Sequence, residues 1–228
     1  MRSAKFVLSD MTSPYSAIEA WAYDRFIAPA VERQRDALER ELLGRVPQDA
    51  RLLDVGCGGG QIALALARRR PDLRVVGLDL SAEQVARARK RGAKLADRVS
   101  FIEGSALEQP FDDASFDVVV SVASLKHWPD QQRGLSECVR VLRPDGALLV
   151  VEADRGCSHD AAKSFVALWR VPSVLRPLSL AFFRTWVAGR SVDLEQAREL
   201  ASLLALARAD VRRLESLPAL VILGTKLP

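Results

Sequence analysis

Along the middle of this chain, short apolar runs alternate with helical stretches, and this alternation limits the fold more than any other feature. Strand-like runs occupy Arg51–Gly56, Leu73–Leu80, Val99–Glu103, Phe116–Val122 and Ala147–Glu152. Between them, Gln61–Arg70 is an Ala/Leu helix ending in cations, which suit a helix C-terminus, with Pro71 just beyond. Ser81 begins another helix, with Gln84 three residues on as in a capping box. Gln131–Leu142 is a third, stopped by Pro144-Asp-Gly146. The run Phe-Asp-Val-Val-Val-Ser-Val at 116–122 is apolar on both faces, as a central parallel strand must be. Five such β-α alternations imply a parallel sheet with helices on both sides.

The end of the chain breaks the pattern. A helix is expected from Ser191-Val-Asp193 to about Ala207, then strands at Val211–Leu217 and Ala219–Lys226 with only Pro218 between. Parallel strands need a crossover of a dozen residues or more, so this pair must be an antiparallel hairpin at the sheet's edge. The first 48 residues read as helical. Ser16–Val46 is rich in Ala, Glu, Arg and Leu and is broken once at Pro29.

Composition sets outer limits. At 228 residues, 49% hydrophobic and 27% charged, the chain suits one folded domain rather than a disordered segment. Its three cysteines, Cys57, Cys138 and Cys157, are too scattered for a disulfide framework, and no Cys-x-x-Cys pair offers metal-ligand spacing. No metal is expected. No apolar run approaches the ~20 residues of a membrane-spanning helix, and the N-terminal apolar run is too short for a secretory signal. A cytoplasmic location is the expectation.

Two signals carry chemistry. Asp54-x-Gly56-x-Gly58-Gly59-Gly60 joins a strand to a helix, where glycines let the backbone approach a ligand and leave helix N–H groups facing it. The dinucleotide fingerprint wants a sixth-position glycine, and Gln61 stands there instead. Asp79 ends the second strand, where an acid can accept both hydroxyls of a ribose. Either acid could instead cap the loop or helix that follows it.

Four ordered motifs over roughly residues 50 to 152 complete the pattern: Leu53-Asp-Val-Gly-Cys-Gly-Gly-Gly60, Val76-Gly-Leu-Asp-Leu-Ser81, Gly104-Ser-Ala106 with Pro110-Phe-Asp-Asp-Ala-Ser-Phe-Asp117, and Leu142-Arg-Pro-Asp-Gly-Ala147. The sequence resembles the class I S-adenosylmethionine-dependent methyltransferases, in particular their small-molecule branch that includes the enzymes of ubiquinone and menaquinone biosynthesis. The resemblance implies an α/β fold: a Rossmann-like, doubly wound sheet, mostly parallel, with an antiparallel C-terminal hairpin. It also implies one methyltransferase domain with a helical N-terminal segment over 1–48, a cofactor-binding core over 50–152, a helical insert after strand five over 155–190 that caps the substrate, and a last helix and β-hairpin over 191–228.

Carried over by motif, the resemblance implies S-adenosyl-L-methionine as cofactor. Asp54, Gly56, Cys57 and Gly58 would line its methionine end, with Gln61 beside them at the start of the helix. Asp79 would hold the ribose and Leu80 pack on the adenine. Ser105 stands where family members usually have Asp, and the Ala106 backbone would lie by the adenine ring. Ser121 would offer its carbonyl to the cofactor's amino group, while Asp117 reads as structural. His127, in the loop Ser124-Leu-Lys-His-Trp-Pro-Asp130, is a candidate base or substrate contact, or simply orders the loop. Its neighbour Lys126 is expected in solvent, and His159 is a weaker candidate.

Methyl transfer from a sulfonium requires alignment and water exclusion rather than a metal or a covalent intermediate. The Asn/Asp-Pro-Pro-Tyr loop of enzymes that methylate the amino groups of bases is absent, Ser121-Val-Ala-Ser standing in its place, so a nucleic-acid partner is not expected. The charge distribution speaks to the acceptor. Between Arg155 and Arg190 six cations (Arg155, Lys163, Arg170, Arg176, Arg184, Arg190) face one acid, Asp160, which exceeds the whole chain's net +4. The same segment carries Phe165, Trp169, Phe182, Phe183 and Trp186. That mixture suits a small hydrophobic or anionic acceptor, or peripheral docking on an anionic membrane; a solvated lid with packed aromatics is the third reading. Two rival functions are a nicotinamide-dependent oxidoreductase and a non-catalytic cofactor-binding homologue. Sequence leaves the acceptor and the oligomeric state open.

Overall fold

The computed structural model describes residues 46–215 and 217–228. The helical reading of Ser16–Val46 falls almost wholly outside them. Seven strands form one sheet: β1 (Arg51–Val55), β2 (Arg74–Asp79), β3 (Val99–Glu103), β4 (Phe116–Val122), β5 (Leu142–Ala153), β6 (Leu206–Arg213) and β7 (Ala219–Lys226). Their spatial order is β3-β2-β1-β4-β5-β7-β6. The first five are parallel, and β7 runs antiparallel between β5 and β6.

Burial follows position in the sheet. Central β1 and β4 are buried on both faces, whereas the edge strand β3 alternates, with Val99 and Phe101 inside and Ser100 and Glu103 outside. Along β1, Leu52 joins one core cluster, while Leu53 and Val55 join the other. Helices α1 (Gln61–Arg69) and α2 (Ala82–Gly92) cover the first face. On the second lie α3 (Gln131–Val141) and, after an intervening insert, a further helix at Leu194–Ser202. Truncating a wholly buried side chain such as Leu53 or Leu78 would cost about 2–5 kcal/mol.

Caps fix where the helices begin. Ser81 Oγ accepts from the Gln84 N–H at 3.3 Å, and Asp130 Oδ1 accepts from the Arg133 N–H at 2.9 Å. Helix α3, expected to run to Leu142, ends one residue sooner, at Val141. Leu142 is already extended and pairs with Phe116, so α3 passes straight into β5. Arg143–Gly146 then bulge before Ala147 pairs with Val118, with Asp145 at φ 61°. Proline excludes helix from the residue before it, which moves the boundary upstream.

The terminal hairpin is present with a different register. The helix ends at Ser202 rather than near Ala207, and β6 begins at Leu206 and stops at Arg213, short of the expected Leu217. The cause is β7. Gly224 leaves a gap on that strand, and Leu206 fills it, its Cδ1 lying 2.7 Å from where a Cβ on Gly224 would be.

Residues between β5 and the last helix form a third cluster. Helix α4 (His159–Ala167) and helix α5 (Arg176–Phe182), which runs into a π-helical turn at Phe183–Val187, enclose Phe165, Trp169 and Phe183. The Phe165–Phe183 ring centroids are 5.3 Å apart, and the Trp169–Phe183 pair meets edge-on at 6.2 Å. The helix at Leu194–Ser202, capped by an Asp193–Gln196 box, is α6.

Candidate functional site

In a doubly wound sheet, ligands bind beyond the carboxyl ends of the parallel strands. Here Asp54, Asp79, Ser105, Ser121 and the 124–130 loop all lie at that edge, because β1, β2, β3 and β4 end there. Asp79 organises it. Its Oδ2 accepts from the Gly58 N–H at 2.8 Å and its Oδ1 from the Ser81 N–H at 2.9 Å. One carboxylate therefore ties the glycine loop to the start of α2, so the capping alternative raised from sequence holds in part. Each oxygen keeps a further lone pair for a ligand hydroxyl. The Gly56 and Cys57 N–H groups both donate to the Leu78 carbonyl, at 2.7 and 3.0 Å, and Gly104 N–H donates to the Asp79 carbonyl at 2.9 Å.

The loop after β4 packs onto the loop after β1. At Gly56, with φ 74°, a Cβ would lie 1.8 Å from Ser124 Oγ, so only glycine permits the contact. Ser124 Oγ is itself held by Trp128 Nε1 at 3.0 Å. At Gly58, φ is 51° and a Cβ would meet nothing within 4 Å, so this stretch of backbone faces open space. Leu80 follows Asp79 with its side chain about half exposed.

Asp54 lies on β1, is 2% exposed, and its Oδ2 has no hydrogen-bond partner. Burial pushes its pKa up to about 7, a rise restrained by the Ala63 N–H and increased by the charge of Asp79. Asp79 is raised too, chiefly by burial, against the lowering effect of its two backbone N–H partners. Cys57 is buried, and burial likewise drives its thiol up, with the charges of Asp54 and Asp79 adding to the rise, which disfavours the thiolate. Gln61 is the first residue of α1 and half-buried. Ser105 Oγ accepts from the Leu107 N–H at 3.1 Å, and Ala106 packs on the second core cluster. Ser121 is wholly buried with an unpartnered Oγ. Asp117 accepts from the Arg51 N–H and from Arg143, a structural role as expected.

One expectation is overturned. Lys126 is not solvated: its side chain is 6% exposed, and its Nζ donates to Glu152 Oε1 at 2.9 Å and to the Ala123 carbonyl at 2.6 Å. The turn Leu125–His127 drives Leu125 into the core and so places Lys126 over the end of β5. There Glu152, wholly buried, also accepts the Lys126 and Ala153 N–H groups. Sequence reasoning missed Glu152, although the signal used for Asp79, an acid closing an apolar strand, applied to it as well. His127 is half-buried on this braced turn, with its backbone N–H donated to the Ser124 carbonyl at 2.9 Å. His159 opens the first helix of the insert, with Nδ1 2.9 Å from Arg184.

Comparison with known proteins agrees with this geometry. A model described as a methyltransferase domain matches residues 53–150. The O-methyltransferase rstn1 of Aspergillus nomiae is 31% identical over 173 residues, which cover 73% of this chain and 76% of that protein. The chain belongs to the class I S-adenosylmethionine-dependent methyltransferases. The 27-O-demethylrifamycin SV methyltransferase of Amycolatopsis mediterranei is 40% identical over 142 residues, covering 58% of this chain and 52% of that relative. The chain thus spans about half the length of the first curated relatives it matches. A structure of a putative S-adenosyl-L-methionine-dependent methyltransferase from Methanococcus maripaludis shares the fold, with a TM-score of 0.70 at 20% identity, over 92% of this chain and 90% of that one.

Membership sets aside the nicotinamide reading of the glycine loop. The family's cofactor is S-adenosylmethionine, and the residues present fit it. The orphaned Asp54 Oδ2 sits where a cationic group would be welcome, the Asp79 carboxylate has acceptor capacity left, and the backbone at Gly58 has open space before it.

Proposed function

We propose that this methyltransferase moves a methyl group from S-adenosylmethionine to a small hydrophobic acceptor by direct in-line displacement at the carboxyl edge of β1, β2 and β4. The observation that carries the reading is the pair of carboxylates at that edge: Asp54, buried with one oxygen unpartnered, and Asp79, which anchors the glycine loop. Bound there, the cofactor supplies an electrophilic methyl carbon on a positively charged sulfur.

The chain's own residues do the rest. Asp54, with the backbone of Gly56, Cys57 and Gly58, holds the cationic methionine end, and Gln61 lies next to it. Asp79 takes the ribose hydroxyls and Leu80 covers the adenine, with Ser105 and Ala106 at its edge. The Ser121 carbonyl meets the amino group. His127 accepts the acceptor's proton when a hydroxyl or amine must lose one. The names of the two relatives given above, both O-methyltransferring by description, support an oxygen acceptor. Residues 50–152 act as the cofactor core and 155–190 as the cap that excludes water from the transfer.

A turnover assay following S-adenosylhomocysteine formation over a panel of phenolic, quinol and macrocyclic alcohol acceptors tests this. The proposal requires product with at least one of them, and His127→Gln should lower kcat with little change in cofactor affinity. Cofactor binding without turnover of any acceptor would instead favour a non-catalytic homologue.

A further inference from the structure

The insert after β5 presents an outward face that its own packing leaves uncovered. Helix α5 turns Leu180 and, at its end, Phe183 inward against Phe165 and Trp169. On the other side Val174 is 81% exposed, Leu178 70%, and Leu175 and Phe182 45% each. Val174, Leu178 and Phe182 recur every four residues, so they form one stripe along the helix and the turn before it. Most of the exposed large apolar side chains among the described residues fall in these nine positions.

The charges around the stripe are of one sign. From Ala161 to Val192 there is no Asp or Glu, while Lys163, Arg170, Arg176, Arg184 and Arg190 all fall within that span. Arg184 faces His159, and Arg190 lies 3.8 Å over the Trp186 ring. Lys163, Arg170 and Arg176 are exposed, and their side chains make no hydrogen bond or ion pair among the described residues. An apolar stripe in a segment whose charges are all cationic, three of them unpaired among the described residues, is complementary to apolar chains beneath an anionic headgroup layer.

We infer that the face formed by Val174, Leu175, Leu178 and Phe182, with Arg170 and Arg176 at its border, docks this protein on an anionic lipid surface. Leu178 and Phe182 enter the acyl boundary while the arginines meet lipid phosphates. The insert leaves the sheet at the same carboxyl edge as the candidate site, so a lipid-dissolved acceptor would meet the protein on the side where β1, β2 and β4 end. The docking needs no turnover and stands independently of the methyl-transfer reading.

The test is co-sedimentation of the full chain with vesicles of phosphatidylcholine alone or mixed with phosphatidylglycerol, at low and at high salt. Binding to the mixed vesicles, absent on pure phosphatidylcholine and falling as salt rises, is the expected result. Arg170→Gln and Arg176→Gln should each weaken it about fivefold, and Leu178→Ser roughly tenfold. All three residues are exposed, so their melting temperatures and cofactor affinities should match the parent. Equal binding to neutral vesicles, no binding to anionic ones, or insensitivity to all three substitutions would overturn the inference. So would a dimer that Leu178→Ser dissociates in a protein that ignores vesicles, which would make the face an interface between two copies.

Discussion

Asp54→Asn is the most informative single substitution. The wild-type carboxyl is buried, has one orphaned oxygen, and titrates near 7 rather than at 3.8. A carboxyl whose folded pKa is raised stabilises the fold when protonated. That contribution is fully present below its unfolded pKa near 3.8 and is lost as pH rises through about 7. Three pH units correspond to ~4 kcal/mol as a ceiling, which water entry and relaxation reduce. At roughly 2–4 °C per kcal/mol, the ceiling on the melting temperature is on the order of 10 °C. Asparagine keeps an acceptor for the Ala63 N–H and does not titrate. The wild-type minus variant difference in melting temperature, measured by scanning fluorimetry without cofactor, should therefore fall between pH 4 and 7 and level off above. Cofactor affinity should do the reverse in the wild type, rising through the same window as a carboxylate forms to meet the cationic methionine end. The variant should show neither trend. Parallel melting profiles for the two proteins across that window would refute the argument, because they would mean that Asp54 is solvated or paired.

Two further outcomes are expected. Asp79→Asn replaces a carboxylate that accepts two backbone N–H groups with a side chain offering one acceptor. Calorimetry should show about a ten- to hundredfold loss of S-adenosylmethionine affinity, and chemical denaturation a stability loss of about 1–3 kcal/mol; unchanged affinity in a folded variant would remove the assignment. Lys126→Met strands the Glu152 carboxylate in the interior and should cost about 3–5 kcal/mol by denaturant titration, with much of the loss recovered in Lys126→Met/Glu152→Leu.

How far the molecule could be read from its sequence depended on the range of the interaction. The inner strands were legible because a parallel strand buried on both faces leaves a continuous apolar run, as at Phe116–Val122. Ser81 and Asp79 were legible because their partners lie within a few residues or within a known turn. The segment Leu203–Asp210, by contrast, has the Leu/Ala composition of a helix. It becomes strand from Leu206 because β7 offers an edge to pair with and a gap at Gly224 to fill, a tertiary preference no local pattern states. Lys126 and Glu152 are 26 residues apart and meet only when the turn after β4 folds over the end of β5. From sequence, a lysine beside a histidine in a polar loop looks solvated. The same limit applies at Ser124: nothing local announces that it closes on Gly56.

The central claim is that the edge built by Asp54, the glycine loop and Asp79 binds S-adenosylmethionine. Calorimetric titration of the intact chain with S-adenosylhomocysteine, and separately with NADH, tests it most directly. The account predicts saturable one-to-one binding of S-adenosylhomocysteine, lost in Asp79→Asn, and no heat from NADH. Saturable binding of NADH with none of S-adenosylhomocysteine would contradict it.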